Sequence, residues 1–66
     1  MHAASVTTEA AANHIGLAVS TLEKLRVKGG GPLYIKMGRA VRYRMGDLDR
    51  WLDERVVSST SQESSR

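Results

Sequence analysis

The chain has 66 residues, no cysteine, no phenylalanine, one tryptophan and a formal net charge of +3. This length fits one domain with a small core, because a domain usually needs about 50 residues or more. The lack of cysteine excludes a disulfide and the usual cysteine-based zinc sites, and it is compatible with a reducing compartment. No apolar run approaches the roughly 18 to 20 residues of a transmembrane helix, and no secretory leader pattern opens the chain. We therefore expect a cytoplasmic domain without a membrane partner.

The positive charge is concentrated in the middle of the chain. Residues 20–44 carry seven Lys or Arg side chains and one acid, Glu23, for a net charge of +6. Residues 1–19 carry a net charge of −1, and residues 45–66 carry −2. Concentrated positive charge in a small domain favours a polyanionic partner, most often nucleic acid, although charge alone leaves an ordinary solvated surface as the alternative.

A first short helix is predicted over residues 9–15. Thr7 is its candidate N-cap, because a threonine hydroxyl can accept from an unpaired amide of the first turn. Gly16 fits as the residue that ends the helix. Helical spacing places three apolar residues on one face: Ala11, Ala12 and Ile15.

A second helix is predicted from Val19 to Lys28, with Leu22 and Leu25 on its inner stripe. The run of three glycines and Pro32 that follows stops this helix and requires a loop. Thr21 and Arg26 fall on the flanks of the helix. The face opposite the inner stripe carries Ser20, Glu23, Lys24 and Val27, with Lys28 close by.

A β-hairpin is predicted over residues 33–44, where apolar and polar residues alternate. A three-residue loop at residues 38–40 pairs Met37 with Val41 and keeps apolar and polar side chains on separate faces. Because a slip of one residue moves every side chain to the opposite face, we favour this loop over a two-residue loop. The apolar face then holds Leu33, Ile35, Met37, Val41 and Tyr43. The polar face then holds Tyr34, Lys36, Arg42 and Arg44, and Tyr34 there could contact a sugar or a phosphate.

A third helix is predicted to start near Gly46, its N-cap, with Asp47 and Asp49 in the first turn, where the helix dipole favours acids. Its inner stripe is predicted to consist of Leu48, Trp51, Leu52 and Val56, with Trp51 as a core anchor. Residues 1–4 are predicted to be flexible. The Ser-rich residues 57–66 have little to bury, so we predict a disordered tail there.

Residues 5–56 are predicted to form a small α+β fold, the winged helix-turn-helix. The predicted order of elements is that of this fold: a helix, a tight turn, a second helix, a basic hairpin and a final helix. The major groove of B-DNA is about 12 Å wide and admits one helix. In such a fold the first helix supports the second, whose outer face meets the base edges. A hairpin with a cationic outer face can lie along the adjacent backbone. This order of elements therefore predicts binding to double-stranded DNA.

The residues also carry a resemblance to a known family. The chain resembles the short MerR-like winged helix-turn-helix proteins of the excisionase and AlpA type over roughly residues 5–55. The resemblance rests on the ordered stretches Val6–Ala12, Ile15–Leu17, Ser20–Leu22, Lys28–Pro32, Tyr34–Tyr43 and Asp47–Leu52. Such proteins are bacterial or phage proteins that act as recombination directionality factors, as small transcriptional regulators or as DNA-recognition modules in phage packaging.

The resemblance implies a set of DNA-binding residues. Ser20, Thr21, Lys24 and Lys28 stand at positions that the family presents to the major groove. Lys36, Arg39 and Arg42 belong to the wing, with Arg39 at its tip. Arg26 matches a basic position of the family, and its flank position equally allows pairing with an acid of the third helix. The chain departs from the family pattern at three helix caps, where it has Ala10, Ala18 and Gly46.

The resulting expectation is a sequence-specific DNA-binding protein of the bacterial nucleoid, an excisionase-like factor or a small transcriptional regulator. Double-stranded DNA and an integrase are the expected partners, with self-association on DNA repeats by a chain that is a monomer in solution. We expect no enzyme activity, cofactor or small-molecule ligand, because the sequence shows no catalytic arrangement. We also expect no metal site, because no acid is arranged beside His2 or His14. The alternative is a protein-interaction adaptor or anti-repressor whose basic face binds an acidic protein.

Overall fold

The computed structural model describes residues 5–57, which form three helices and a three-stranded antiparallel sheet. The predicted α+β winged helix-turn-helix fold is confirmed. The predicted flexible segment 1–4 and the predicted tail 57–66 lie outside this range, apart from Val57. The elements in chain order are β1 (Ser5–Thr7), α1 (Thr8–Ile15), α2 (Val19–Lys28), β2 (Ile35–Met37), β3 (Ala40–Arg44) and α3 (Met45–Asp53).

Local capping signals set the ends of the first two helices. Thr7 caps α1, because its Oγ1 accepts a hydrogen bond of 3.1 Å from the backbone N–H of Ala10. Gly16 follows α1 in the left-handed conformation at φ 77°, which glycine adopts without strain. Only three residues separate α1 from α2, so the two helices form the tight turn that was predicted.

Five side chains form the buried core. Tyr43, Leu22 and Leu48 are its largest members, and Ala11 and Ala12 of α1 complete it. The small alanine side chains allow α1 and α2 to approach closely. Each element except β1 and β2 therefore contributes a fully buried residue. The partly buried side chains that pack against this core are Val6, Ile15, Val41 and Met45.

The sheet contains a strand that was not predicted. Its strand order is β1-β3-β2, with both neighbours antiparallel to the central strand β3. Val6 of β1 lies opposite Tyr43, so it shares the face of the sheet that covers the core. The three residues of β1 are too few to show a strand pattern in sequence, and their pairing depends on the rest of the fold.

The predicted three-residue hairpin loop is wrong. Met37 pairs with Ala40, so the loop is the two-residue turn Gly38-Arg39. Gly38 has φ 62°, and glycine at the first position of a two-residue loop suits a tight hairpin turn. The turn and the buried Tyr43 of β3 therefore determine the register, rather than the apolar pattern of β2.

The predicted apolar and polar faces of the hairpin are consequently mixed. Val41 and Tyr43 face the core as predicted, but Ile35 and Met37 lie on the opposite face with Arg42. Leu33, also predicted on the apolar face, is 64% exposed. This arrangement is tolerated because β2 is a short edge strand whose side chains are not fully buried.

Helix α3 differs from prediction at both ends. It begins at Met45 after Arg44, rather than at a Gly46 cap. Leu48 is buried, whereas Val56 is exposed. Trp51 is half-buried outside the core, where its indole N–H donates a hydrogen bond of 2.8 Å to the carbonyl of Gly30.

Arg55 also binds the carbonyl of Gly30. The guanidinium of Arg55 lies 4.2 Å from the centre of the Trp51 ring and donates a hydrogen bond of 2.9 Å to the Gly30 oxygen. Both contacts tie the glycine loop to the segment at the end of α3. The loop therefore has a defined position between α2 and β2.

Close packing of the glycine loop against α2 gives a test of the fold. A Cβ added at Gly31 would lie 2.8 Å from Cβ of Leu25. A Cβ added at Gly46 would have no neighbouring atom within 4 Å. We expect Gly31→Ala to lower the free energy of unfolding by about 1–3 kcal/mol, because the loop must shift. Gly46→Ala, in the first turn of α3, should raise it by about 0.5–1 kcal/mol. Urea denaturation followed by circular dichroism measures both, and wild-type stability of Gly31→Ala would contradict this packing.

Candidate nucleic-acid interface

The outer face of α2 is exposed to solvent. Its predicted groove-facing side chains are all exposed: Ser20, Thr21, Lys24 and Lys28. Leu22, on the opposite side of the helix, is fully buried and anchors α2 against α1. Ala18 at the start of α2 makes no side-chain capping bond, as its residue type predicted. One side of α2 therefore holds the helix in the fold, and the other presents polar and basic groups to solvent.

The wing carries a second set of basic groups. The two-residue turn brings Arg39 to the tip of the hairpin, and Arg39 and Lys36 are exposed. Arg42 is half-buried, and its Nη1 donates a hydrogen bond of 2.9 Å to the carbonyl of Val41. Because Lys36 pairs with Val41, it lies on the other face of the sheet from Arg42. The wing thus exposes cations at its tip and on both faces, rather than on the single predicted outer face.

Arg26 connects α2 to the rest of the domain. Its Nη1 donates hydrogen bonds to the hydroxyl of Tyr43 at 3.1 Å and to Oγ1 of Thr8 at 3.3 Å. Of the two roles left open for Arg26, pairing with an acid of α3 is wrong, since no ion pair found in residues 5–57 involves Arg26. The signal for its inward position was present in the sequence, because Arg26 follows Leu22 by four residues and so shares its helix face.

Tyr34 stands beside this contact. Its ring centre is 5.8 Å from Cζ of Arg26 and 6.1 Å from the ring centre of Tyr43, and the two rings are tilted by 50°. A guanidinium over an aromatic face is attracted by the ring quadrupole, and tilted aromatic rings pack favourably. Tyr34 is nevertheless 43% exposed, so one edge remains open to solvent. The loop before β2 is in this way joined to α2.

Acids of the third helix pair with bases away from α2. Asp49 lies 2.8 Å from Nε2 of His14, and Asp47 lies 2.7 Å from Nε of Arg44. The first contact corrects the expectation that no acid lies beside His14. The third ion pair of the described chain joins Arg55 to Glu54 at 3.7 Å. Within residues 5–57, these pairs include Arg44 of the wing. They leave out the five other cations predicted on the outer α2 face and wing: Lys24, Lys28, Lys36, Arg39 and Arg42.

Residues 5–57 contain neither a cluster of metal-binding side chains nor a membrane-spanning helix. No group of three or more His, Asp or Glu side chains within residues 5–57 is arranged to hold a metal ion. No helix in this range has the length and apolar character needed to cross a bilayer.

The geometry agrees with a comparison against known families. A family model described as a helix-turn-helix domain matches residues 5–56, which is most of the chain. The chain belongs to this helix-turn-helix family. The family is that of the AlpA and excisionase-type domains, a DNA-binding family, as the resemblance in sequence implied. No curated protein matches the chain.

The place of Arg26 in this helix-turn-helix domain can be tested by a double-mutant cycle. We expect Arg26→Met and Tyr43→Phe each to lower the free energy of unfolding by about 1–3 kcal/mol, because each removes one partner of a part-buried charged hydrogen bond. The double variant should lose less than the sum of the two, because both changes break the same contact.

The matched control is Lys24→Met, which removes a cation from the exposed side of the same helix. Its free energy of unfolding should stay within about 0.5 kcal/mol of wild type. Strictly additive losses for Arg26 and Tyr43 in urea denaturation would show that the two side chains do not support each other.

Proposed function

We propose that this helix-turn-helix protein binds specific double-stranded DNA and acts as an excisionase-like recombination directionality factor or as a small transcriptional regulator. The observation that supports this most is the exposed position of the cations on α2 and at the wing tip, outside the ion pairs of residues 5–57. Cations that are already neutralised by acids would add little attraction for phosphates. Unpaired cations release counterions from DNA and so contribute to affinity.

The two basic surfaces suit two different tasks. Helix α2 has the width to enter a major groove, and Ser20, Thr21, Lys24 and Lys28 would lie against base edges and groove walls. The wing residues Lys36, Arg39 and Arg42 would neutralise phosphates of the adjacent backbone. Arg26 would act as a positioning residue, because its guanidinium is directed toward Tyr43 and Thr8.

A single module of this size covers only a short site. Single DNA-binding modules bury about 600–1,000 Å² of protein surface, and selectivity in a genome generally needs more contacts than that. We propose that several copies assemble side by side on DNA repeats, starting from a monomer in solution. We propose that the protein acts in the cytoplasm of a bacterium, at the nucleoid.

DNA binding is tested by a salt titration. We expect the logarithm of the binding constant for a selected DNA site to fall with the logarithm of salt concentration at a slope near −4.5, as about five phosphates are neutralised. Fluorescence anisotropy on DNA selected from a random pool measures this slope. A flat salt dependence would contradict the proposal. Binding only to an acidic protein would favour the adaptor alternative.

Two single variants separate backbone contacts from base reading. Arg39→Ala should weaken binding to all sequences and make the salt slope shallower by about 0.9. Lys24→Ala should in addition change which sites are preferred, because Lys24 lies on the groove-facing side of α2. The pair is matched, since each variant removes one exposed cation. An equal loss on all sequences for Lys24→Ala would argue against its base-reading role.

The two biological roles differ in their partner. An excisionase-like factor should stimulate excision of a DNA segment by an integrase in vitro, whereas a regulator should leave excision unchanged and alter transcription from its target. The assay uses the integrase of a neighbouring gene, with and without this protein. Arg39→Ala serves as the DNA-binding control, and its stimulation should fall in parallel with its affinity.

A further inference from the structure

One apolar side chain on α2 is left in solvent. Val27 is 86% exposed, more than any other large apolar residue within residues 5–57. A single exposed apolar residue on a protein surface is ordinary and requires no explanation by itself. What distinguishes Val27 is the helix face on which it lies.

Val27 continues the row of groove-facing residues along α2. It follows Lys24 by three positions and Ser20 by seven, so the three residues share one helix face. At about 1.5 Å per residue, Val27 lies roughly 10 Å along the helix axis from Ser20. The face thus presents a hydroxyl at Ser20, a carboxylate at Glu23, an ammonium group at Lys24 and two methyl groups at Val27.

Valine is also a poor choice for an exposed helix position on grounds of stability. It disfavours the helix relative to alanine or lysine, and burial does not compensate for this at 86% exposure. Its branched side chain is restricted at χ1, so its methyl groups are held in one orientation. A side chain that is already ordered loses little conformational entropy when it contacts a ligand.

The major groove offers one apolar group that matches such a side chain. Among the base edges exposed there, the C5-methyl group of thymine is the apolar feature, and small apolar side chains recognise it. We propose that Val27 contacts a thymine methyl group and favours thymine at one position of the DNA site. This proposal rests on the proposed function, because it requires α2 to occupy the major groove.

The experiment replaces thymine with deoxyuridine, one position at a time, in a selected DNA site. Deoxyuridine lacks only the methyl group and keeps the same hydrogen-bonding edge. We expect one or two replacements to weaken wild-type binding about fourfold, the effect of leaving roughly one methyl group unburied. Val27→Ala should bind the thymine site about fourfold more weakly and should lose this sensitivity to deoxyuridine.

The matched control is Val56→Ala. Val56 has the same side chain and is 75% exposed, but it follows α3 instead of lying on α2. Val56→Ala should keep both the affinity and the deoxyuridine sensitivity of wild type. Both truncations remove exposed atoms, so neither variant should lose stability. Val56→Ala should keep the thermal midpoint of wild type, and Val27→Ala should keep or slightly raise it, because alanine favours the helix more than valine does. Circular dichroism verifies both midpoints.

The outcomes separate this inference from the proposed function. Specific DNA binding without a sensitive thymine would overturn the role of Val27 and leave DNA binding intact. A sensitive thymine that persists unchanged in Val27→Ala would assign the methyl contact to another residue and overturn the inference as well. Absence of binding to any selected DNA would overturn the proposed function, and the role of Val27 with it.

Discussion

The buried side chain of Tyr43 is the constraint on which the rest of the domain depends. It lies in the central strand β3, opposite Val6 of β1, and it is fully buried between the sheet and the helices. Its hydroxyl accepts from Arg26 of α2. One residue thus joins the wing, the first strand and the groove-facing helix, and the distance from wing to helix follows from its placement.

The ion pairs lie on a different part of the molecule from the exposed bases of the outer α2 face and the wing tip. The ion pairs of residues 5–57 all involve acids of α3 or of the segment directly after it, and their bases come from α1, from the last residue of β3 and from the segment after α3. The bases of the outer α2 face and the wing tip keep their charge available. Exposed ion pairs contribute little stability, so this arrangement affects the field around the domain more than its folding.

Features set by local chemistry were predictable, and features set by tertiary contact were not. The Thr7 cap, the Gly16 turn and the bounds of α2 follow from neighbouring residues, and each was predicted closely. The hairpin register was missed because β2 is an edge strand, so alternation in Ile35 and Met37 does not report burial. The partners of His14 and Arg26 lie 35 and 17 residues away, beyond the reach of any local pattern.

Because the core is small and lies on one side of α2, the fold can stay the same while residues on the outer side of α2 are substituted. Helix α2 is held by Leu22 and Arg26, which share its inner side. Its outer side makes no contribution to the buried core, so substitutions there change what the helix meets without changing where the helix lies. The same holds for the wing, whose turn depends on Gly38 while Arg39 remains exposed. Preorganisation from the inner contacts lowers the ordering cost of binding, and the outer residues are left to set the specificity.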